Sequence, residues 1–358
     1  MKIKLSNHFL FLTICILISI EITLYLVISN SLVNFNLGGG SDADYYDQYA
    51  KGYFDFSVNL WADLLRSLND IGLYSRKIIS FILLILHLFI IPRLACRLAN
   101  LNFKLNQKLY LYLYIICLVY PTLFFYTFDI YRDVFMVFSF LVSCLAVKKM
   151  LKAKNIFSFI SLFIIILFLG WFLFKLRPYL GLAFILSILL IRIKLTKNKI
   201  ILFGLLYIII LFLAFTIGAL DSLIEYRVGF EEVKGGSTIG LDFTNPVLFI
   251  PNLILSTFGQ LFGLYVINSF AIILLLIETV PFVVMLFYIV KNIKLADAFV
   301  RFLIIFFVVY ASVWLIANDN LGTAVRLRLY NYFAVYICFF YILRLKQFVT
   351  SNNMQVKK

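Results

Sequence analysis

The sequence predicts an all-helical polytopic membrane protein. Hydrophobic residues make up 64% of the chain and charged residues only 14%, so polar side chains are too few to cover a soluble globule of 358 residues. Apolar runs of similar length recur along the whole chain, and short polar or basic segments separate them. An α-helix needs about 20 apolar residues to cross about 30 Å of hydrocarbon. We therefore expect each run to be a membrane-spanning helix.

Ten such runs are present, and they lead us to expect one integral membrane domain over residues 1–358, because no internal repeat or linker divides them. Two of them, 134–147 and 179–191, are short and need flanking residues to cross a bilayer. The runs cover approximately 9–28, 78–96, 109–128, 134–147, 156–174, 179–191, 200–220, 269–290, 302–317 and 329–343.

The distribution of basic residues predicts the orientation. If the N-terminus is cytoplasmic and ten spans alternate, both termini lie inside and the cytoplasmic segments hold most of the 32 Lys and Arg residues, as the positive-inside rule requires. Acidic residues are no part of that rule, yet fourteen of the 17 fall in the predicted outer segments. The net charge of +15 is spread over short clusters between apolar runs rather than along one face. We therefore expect the lipid bilayer, and not nucleic acid, as the partner of these charges.

The first outer loop, residues 30–76, is the longest polar interval in the first half of the chain. A helix after Ser41 would align Asp42, Tyr46 and Ala50 on one face, because they are spaced i, i+4 and i+8. The loop also holds six aspartates. They are Asp42, Asp44, Asp47, Asp55, Asp63 and Asp70.

A second, amphipathic helix is expected from Phe54 onward in the same loop. Phe54, Val58, Trp61 and Leu65 fall on one side, with polar residues opposite, and Gly72 ends the helix before the second span. Such a helix is typical of the membrane interface.

The second outer loop, residues 221–268, combines a polar part with a half-apolar part that contains Pro246, Pro251, Asn252 and Gln260. An eleventh span here would move the basic C-terminus outside. We therefore expect segment 246–268 to be interfacial or re-entrant and to line a cavity.

Three further polar segments fall on the predicted outer side. They follow Pro121, surround the Arg177-Pro178 turn, and lie between Asn318 and Asn331. Together with the first loop, they collect carboxylates and arginines on one face. The residues singled out are Asp42, Asp44, Tyr46, Asp129, Arg132, Asp133, Arg177, Arg326 and Arg328.

This combination suits transfer of a sugar from a lipid-linked phosphate or diphosphate. A carboxylate can act as the general base on the attacking hydroxyl, and arginines can hold the departing phosphate through bidentate hydrogen bonds.

The order of these motifs resembles the GT-C glycosyltransferases. It comprises D-x-x-x-Y-x-x-x-A from Asp42, an interfacial helix, P-x(n)-RD ending at Asp133, the Arg177-Pro178 turn and G-x-A-x-R ending at Arg326. Within that superfamily, the stretch 59–76 is similar to bacterial O-antigen and capsule repeat-unit polymerases. The resemblance covers roughly the first 180 and the last 45 residues.

The resemblance implies that Asp42 or Asp44 is the catalytic base and that Arg132, Arg177 and Arg326 contact lipid phosphate. It also implies a bacterial inner-membrane enzyme with a periplasmic site, a polyprenyl-linked saccharide as substrate, and other polysaccharide-assembly membrane proteins as partners. The presence of Asp47 beside the other two aspartates leaves the identity of the base open.

Each assignment has a structural alternative. The first-loop aspartates can be solvated loop acids, Arg132 can pair locally at a helix end, and Arg177 and Arg326 can be anchors in the headgroup layer. Glu21 and Glu278 fall inside apolar runs, where a helix-to-helix hydrogen bond explains them as well as a proton path does.

Two other activities remain open at this stage. One is transfer of a single sugar from a polyprenyl-phosphate donor, and the other is transport of lipid-linked sugar without covalent chemistry. Three aspartates within six positions have the ligand chemistry of a Mg²⁺ or Mn²⁺ site. No second converging cluster accompanies them, so no metal or other cofactor is predicted.

Overall fold

The computed structural model describes residues 6–29, 40–193, 197–232 and 237–355, so 30–39 of the first predicted outer loop and 233–236 of the second lie outside it. Within these residues every regular element is a helix, and one isolated β-bridge joins Thr238 to Asn320. The prediction of an all-helical membrane protein is confirmed. The chain divides into two compact units, Met1–Leu182 and Ala183–Lys358.

Unit 1 contains the first eight helices, and the boundary between the units falls within the ninth. The short pair α2 and α3 occupies the first predicted outer loop. The helices are α1 Asn7–Ser29, α2 Gly40–Ala50, α3 Leu60–Asp70, α4 Arg76–Leu98, α5 Gln107–Leu118, α6 Pro121–Phe125, α7 Arg132–Met150, α8 Ile156–Leu176 and α9 Pro178–Leu189.

The core of unit 1 has two parts. In one, α7 packs against α8 and against the second half of α4. In the other, α1, α4 and α5 bury a cluster of aliphatic and aromatic side chains that includes Ile14, Leu84 and Leu111. The first loop therefore rests on a packed helical body.

Unit 2 contains six further helices. They are α10 Lys197–Thr216, α11 Asp221–Glu232, α12 Phe249–Ser256, α13 Ser269–Lys291, α14 Ala298–Ala317 and α15 Leu321–Gln355. The most deeply buried are α14 and α15, which pack against each other, while α13 packs on α15 and α11 packs on α14.

A buried ion pair ties the loop between α11 and α12 into unit 2. Arg227 contacts the carboxylate of Asp319, and Asp319 also accepts hydrogen bonds from the backbone of Gly240 (2.9 Å) and Leu241 (3.5 Å). Arg227 donates in turn to the carbonyl oxygens of Leu241 and Asn318. Both charged side chains are withdrawn from water, so each depends on the other.

Each of the ten predicted apolar runs overlaps a helix, but the run 109–128 is broken at residues 119–120, between α5 and α6. Five helices of the described residues, α1, α4, α8, α13 and α14, are long and apolar enough to cross a membrane. A sixth candidate is the pair 201–216 and 221–229, which bends by 79°. In the segment 246–268, helical structure is limited to α12 and the π turn that follows it. At a rise of about 1.5 Å per residue, this helical part is too short to span a bilayer.

Three π-helical turns occur among the described residues, and each contains a buried polar side chain. Leu86–Ile90 in α4 contains His87, and Leu275–Thr279 in α13 contains Glu278. The third turn, Thr257–Leu261, follows α12 and contains Gln260. His87 lies 3.0 Å from Glu21, and Glu278 lies 2.9 Å from Arg328. The two intramembrane glutamates therefore form contacts between helices.

The expectation of an amphipathic helix from Phe54 is wrong at its start. The helix α3 begins at Leu60, because the side chain of Asn59 accepts a hydrogen bond from the backbone of Trp61 and caps it. Its apolar side chains Trp61 and Leu65 are buried, whereas Phe54 and Val58 lie before the helix and are exposed. Gly72, with φ of +71°, follows its end as expected.

We expect Asp319→Asn to destabilise the protein strongly, because it leaves Arg227 buried without its carboxylate. Removal of one partner of such a pair costs about 3–5 kcal/mol. Thermal unfolding of purified protein in detergent measures the effect. Asp242→Asn, at an exposed turn of the same loop, is the control, and equal stability of the two variants would contradict the expectation.

Candidate functional site

The site is built around α2, the first helix of the predicted outer loop. As the spacing predicts, Tyr46 and Ala50 share its buried side, while Asp42 is half-buried. Ala43, with no exposed surface, lets this side of α2 approach its neighbours closely. Charged groups from three other parts of unit 1 meet α2.

The first group is the acidic cluster, which we define as Asp44, Asp47 and Asp129 with Arg76 and Lys51. Arg76, the first residue of α4, binds Asp129 through Nε (2.7 Å) and Nη2 (2.5 Å) in a bidentate pair. The same Nη2 donates to Oδ1 of Asp44 at 2.8 Å. One guanidinium thus joins α2, the start of α4 and the segment before α7.

Within this cluster Asp47 is saturated with donors. Tyr74 donates to Oδ1 and Lys51 to Oδ2, both at 2.7 Å, and Nη1 of Arg76 lies 3.8 Å from Oδ2. Burial raises the pKa of the Asp47 carboxyl, but the hydrogen bonds from Lys51 and Tyr74 and the charge of Arg76 outweigh it, so the pKa lies below its ordinary value. Such a carboxylate is a poor base.

Asp44 differs from Asp47 in its accessibility. Its side chain is 58% exposed, and among the described residues only Oδ1 carries a hydrogen bond, from Arg76. Arg76 therefore orients the carboxylate while Oδ2 stays open. A hydroxyl group from solvent or substrate can reach that oxygen.

The second group is the arginine cluster, defined as Arg132, Asp133 and Arg177. Arg132 and Asp133 act on Tyr46, and Arg177 pairs with Asp133. Burial raises the pKa of the Tyr46 phenol, the charge of Arg132 partly opposes this, and Asp42 and Asp133 raise the pKa further. The phenol therefore stays protonated at neutral pH. It accepts a hydrogen bond from Asn59 at 3.1 Å and has no acceptor for its own proton among the described residues.

Arg132 presents an unoccupied edge. Its Nη1 donates to the carbonyl oxygen of Leu176 at 3.2 Å, which fixes the side chain against the end of α8. The edge formed by Nε and Nη2 carries no hydrogen bond within the described part of the chain, although Nε is buried. This is the edge through which arginine binds carboxylate or phosphate in bidentate fashion.

Asp133 and Arg177 form the buried part of the arginine cluster. Asp133 has no exposed surface and Arg177 is 4% exposed, with Nη2 of Arg177 lying 3.7 Å from Oδ1 of Asp133. As defined, this cluster holds two arginines and one carboxylate, and the Asp42 carboxylate also acts on Tyr46. The acidic cluster holds three carboxylates and two cations.

Seven of the nine residues singled out from sequence thus lie in the two clusters or beside them. Arg326 and Arg328 belong to unit 2, on α15. Arg326 is half-buried, and Arg328 is buried, paired with Glu278 and stacked over the ring of Tyr332. Phosphate binding by these two arginines stays a prediction.

Sequence reasoning missed Arg76, Lys51 and Tyr74 as parts of the site. A signal for Arg76 was available, because an arginine at the start of an apolar run, directly after an aspartate-rich loop, has charge partners nearby in the chain. Within the described residues, no three His, Cys, Asp or Glu side chains converge to hold a metal ion. The cations bound to the first-loop aspartates Asp44 and Asp47 are Arg76 and Lys51.

Comparison of the chain with protein-family models, with curated proteins and with solved structures finds no match. The chemistry of the two clusters is therefore the basis for any functional conclusion.

The Asp47 carboxylate predicts an acid-sensitive stabilisation. Because its pKa is lowered in the folded state, its contribution is present well above the ordinary value of 3.8 and is lost as the pH falls through the folded-state pKa. We expect Asp47→Asn to lower the melting temperature at neutral pH, and this difference from the wild type to shrink below a pH of about 4.

Melting temperatures over a pH series test this expectation, with Asp70→Asn at the exposed end of α3 as the control. A difference that stays constant with pH would show that Asp47 stabilises the loop by some other means than its charge.

Proposed function

We propose that this protein is a membrane glycosyltransferase of the GT-C type. In this proposal it joins polyprenyl-diphosphate-linked oligosaccharide units on the periplasmic face of the bacterial inner membrane, for O-antigen or capsular polysaccharide. Ten spans with both termini in the cytoplasm, and a re-entrant segment at 246–268, are parts of the same proposal. Other polysaccharide-assembly membrane proteins are its expected partners.

One observation carries the proposal. The helix α2 carries two candidate bases, Asp42 on the side of Tyr46 and Asp44 with an open oxygen. Beside Tyr46 lies Arg132, whose bidentate edge is unoccupied. Glycosyl transfer from a lipid phosphate requires both a base for the acceptor and a cation for the leaving group. The carboxylates of α2 and the open edge of Arg132 have the chemistry of these two groups.

The chemical step follows from these two groups. The carboxylate of Asp44, or of Asp42, takes the proton of the acceptor hydroxyl while its oxygen forms a bond to the anomeric carbon of the donor sugar. The bond between that carbon and the phosphate oxygen breaks, and its electron pair stays on the departing diphosphate. Arg132 neutralises the developing charge through Nε and Nη2, and the neutral Tyr46 phenol donates a hydrogen bond nearby.

The remaining residues have supporting roles in this proposal. Asp129 and Arg76 hold Asp44 in place, and the buried Asp133, paired with Arg177, lies next to Arg132 in the chain. Since Asp47 is saturated with donors, the base is assigned to Asp44 or Asp42.

Replacement of the base should abolish most of the activity. Loss of a general base lowers turnover by about 10²–10⁴-fold, so Asp44→Asn or Asp42→Asn is expected to lose long-chain polysaccharide. The readout is glycosidic bond formation by purified protein on polyprenyl-linked oligosaccharide, with exposed Asp55→Asn as the matched control. Full activity in both variants would refute the assignment of the base.

The same assay separates the alternative activities. A polymerase yields ladders of repeat units, a single-sugar transferase adds one residue from a polyprenyl-phosphate donor, and a flippase forms no glycosidic bond.

In a deletion strain we expect a single repeat unit on the lipid core. Full-length chains that lack one branch would instead indicate the single-sugar transferase.

A further inference from the structure

The segment between α2 and α3 exposes an unusual amount of apolar surface. We call residues 53–58 the aromatic loop. Tyr53 is 73% exposed, Phe56 77% and Val58 62%, while Phe54 is 42% exposed. Four large apolar side chains within six residues are not explained by the packing of unit 1.

The backbone of this loop is held in place, so the exposure follows from the architecture. Tyr45 on α2 donates to the carbonyl oxygen of Phe56 at 2.6 Å and accepts from the backbone of Val58 at 3.2 Å. Arg66 on α3 donates to the carbonyl oxygen of Phe54 at 3.1 Å. Both flanking helices thus bind the loop through its main chain. The Phe54 ring stacks on that of Tyr45, whereas Tyr53, Phe56 and Val58 are mostly exposed.

The apolar face of α3 is already covered by protein. Trp61 donates from Nε1 to the carbonyl oxygen of Ile130 at 2.8 Å and packs its ring 4.9 Å from that of Phe135. Within residues 40–76, the uncovered apolar surface therefore belongs to the aromatic loop and to Ile71 and Leu73, which are 65% and 66% exposed.

The contacts of α2 and α3 place this surface at the level where spans begin. Asp44 on α2 is bound to Arg76, the first residue of the candidate span α4. Trp61 on α3 contacts the first turns of α7, and Ile71 and Leu73 lead directly into α4. Aromatic side chains at the ends of spans are typical of the boundary between headgroups and acyl chains.

We infer that the aromatic loop inserts into this boundary of the bilayer, with Phe56 as its deepest side chain. The partner is the lipid surface itself, and the inference does not depend on any catalytic activity. Insertion would hold α2, and with it both charged clusters, against the membrane surface.

Site-directed labelling of the full chain tests this inference. In a Cys15→Ser background, which removes the exposed native thiol and keeps the four buried ones, Phe56→Cys is labelled with an environment-sensitive fluorophore. The protein is reconstituted into vesicles of phosphatidylethanolamine and phosphatidylglycerol. We expect the label at position 56 to emit at shorter wavelength than a label at the exposed position 48 on α2. We also expect nitroxide-labelled lipids to quench most of its fluorescence.

Gln48→Cys, exposed and polar on α2, is the control for water, and Ile164→Cys, 61% exposed on the candidate span α8, is the control for lipid. Quenching of the Phe56→Cys label by nitroxide lipids to an extent nearer that of the label at 164 supports insertion. Emission and iodide quenching equal to those of the label at 48 would overturn the inference. Neither result bears on glycosyl transfer, so the inference of membrane insertion can fail while the proposed function stands.

Discussion

Charges withdrawn from water have to be paired, and that constraint decides how this chain is arranged. A lone ion in an apolar interior is far less stable than one with a partner. Because the backbone groups of a helix bond to each other, the partner has to be a side chain of another helix. The pairs join elements that are distant in sequence. The buried pairs are Asp133 with Arg177, Arg227 with Asp319, and Glu278 with Arg328. Asp129 with Arg76 is partly exposed, and Glu21 forms a buried hydrogen bond with His87.

In unit 1 the same constraint creates the candidate site. Arg76 binds both oxygens of Asp129 but only one oxygen of Asp44. Arg132 donates to a carbonyl oxygen through Nη1, and its bidentate edge has no acceptor among the described residues. Groups that are held in place yet incompletely bonded are the ones available for chemistry. The structural pairs and the open groups are therefore parts of one network.

Much of the fold could be predicted because it follows from local composition. Apolar runs of sufficient length predicted the helices, and the i, i+4, i+8 spacing predicted α2 together with its buried side. The start of α3 was misjudged because the periodicity from Phe54 continued past Asn59, whose side chain caps the helix. A capping residue inside an apolar pattern outweighs the pattern.

The candidate site was only partly predictable, because its decisive contacts are long-range. Asp44 and Asp129 were singled out separately, and nothing in their spacing indicated that Arg76 joins them. The partner of Glu278, Arg328, lies 50 residues further along the chain, and nothing in their spacing indicated the pair. Composition shows that a charge in an apolar run needs a partner, but the tertiary fold selects it.

The three π turns have a consequence for the way these contacts are encoded. A π turn holds one more residue than the α-helical ladder accommodates, and one residue corresponds to a rotation of about 100° around the helix axis. His87, Gln260 and Glu278 all lie in such turns. The contacts of these side chains with other helices thus depend on their angular position around the helix axis as much as on residue identity. A single-residue deletion in a turn would leave the other side chains of the helix unchanged. It would rotate those on one side of the deletion by about 100°, so that they face different neighbours.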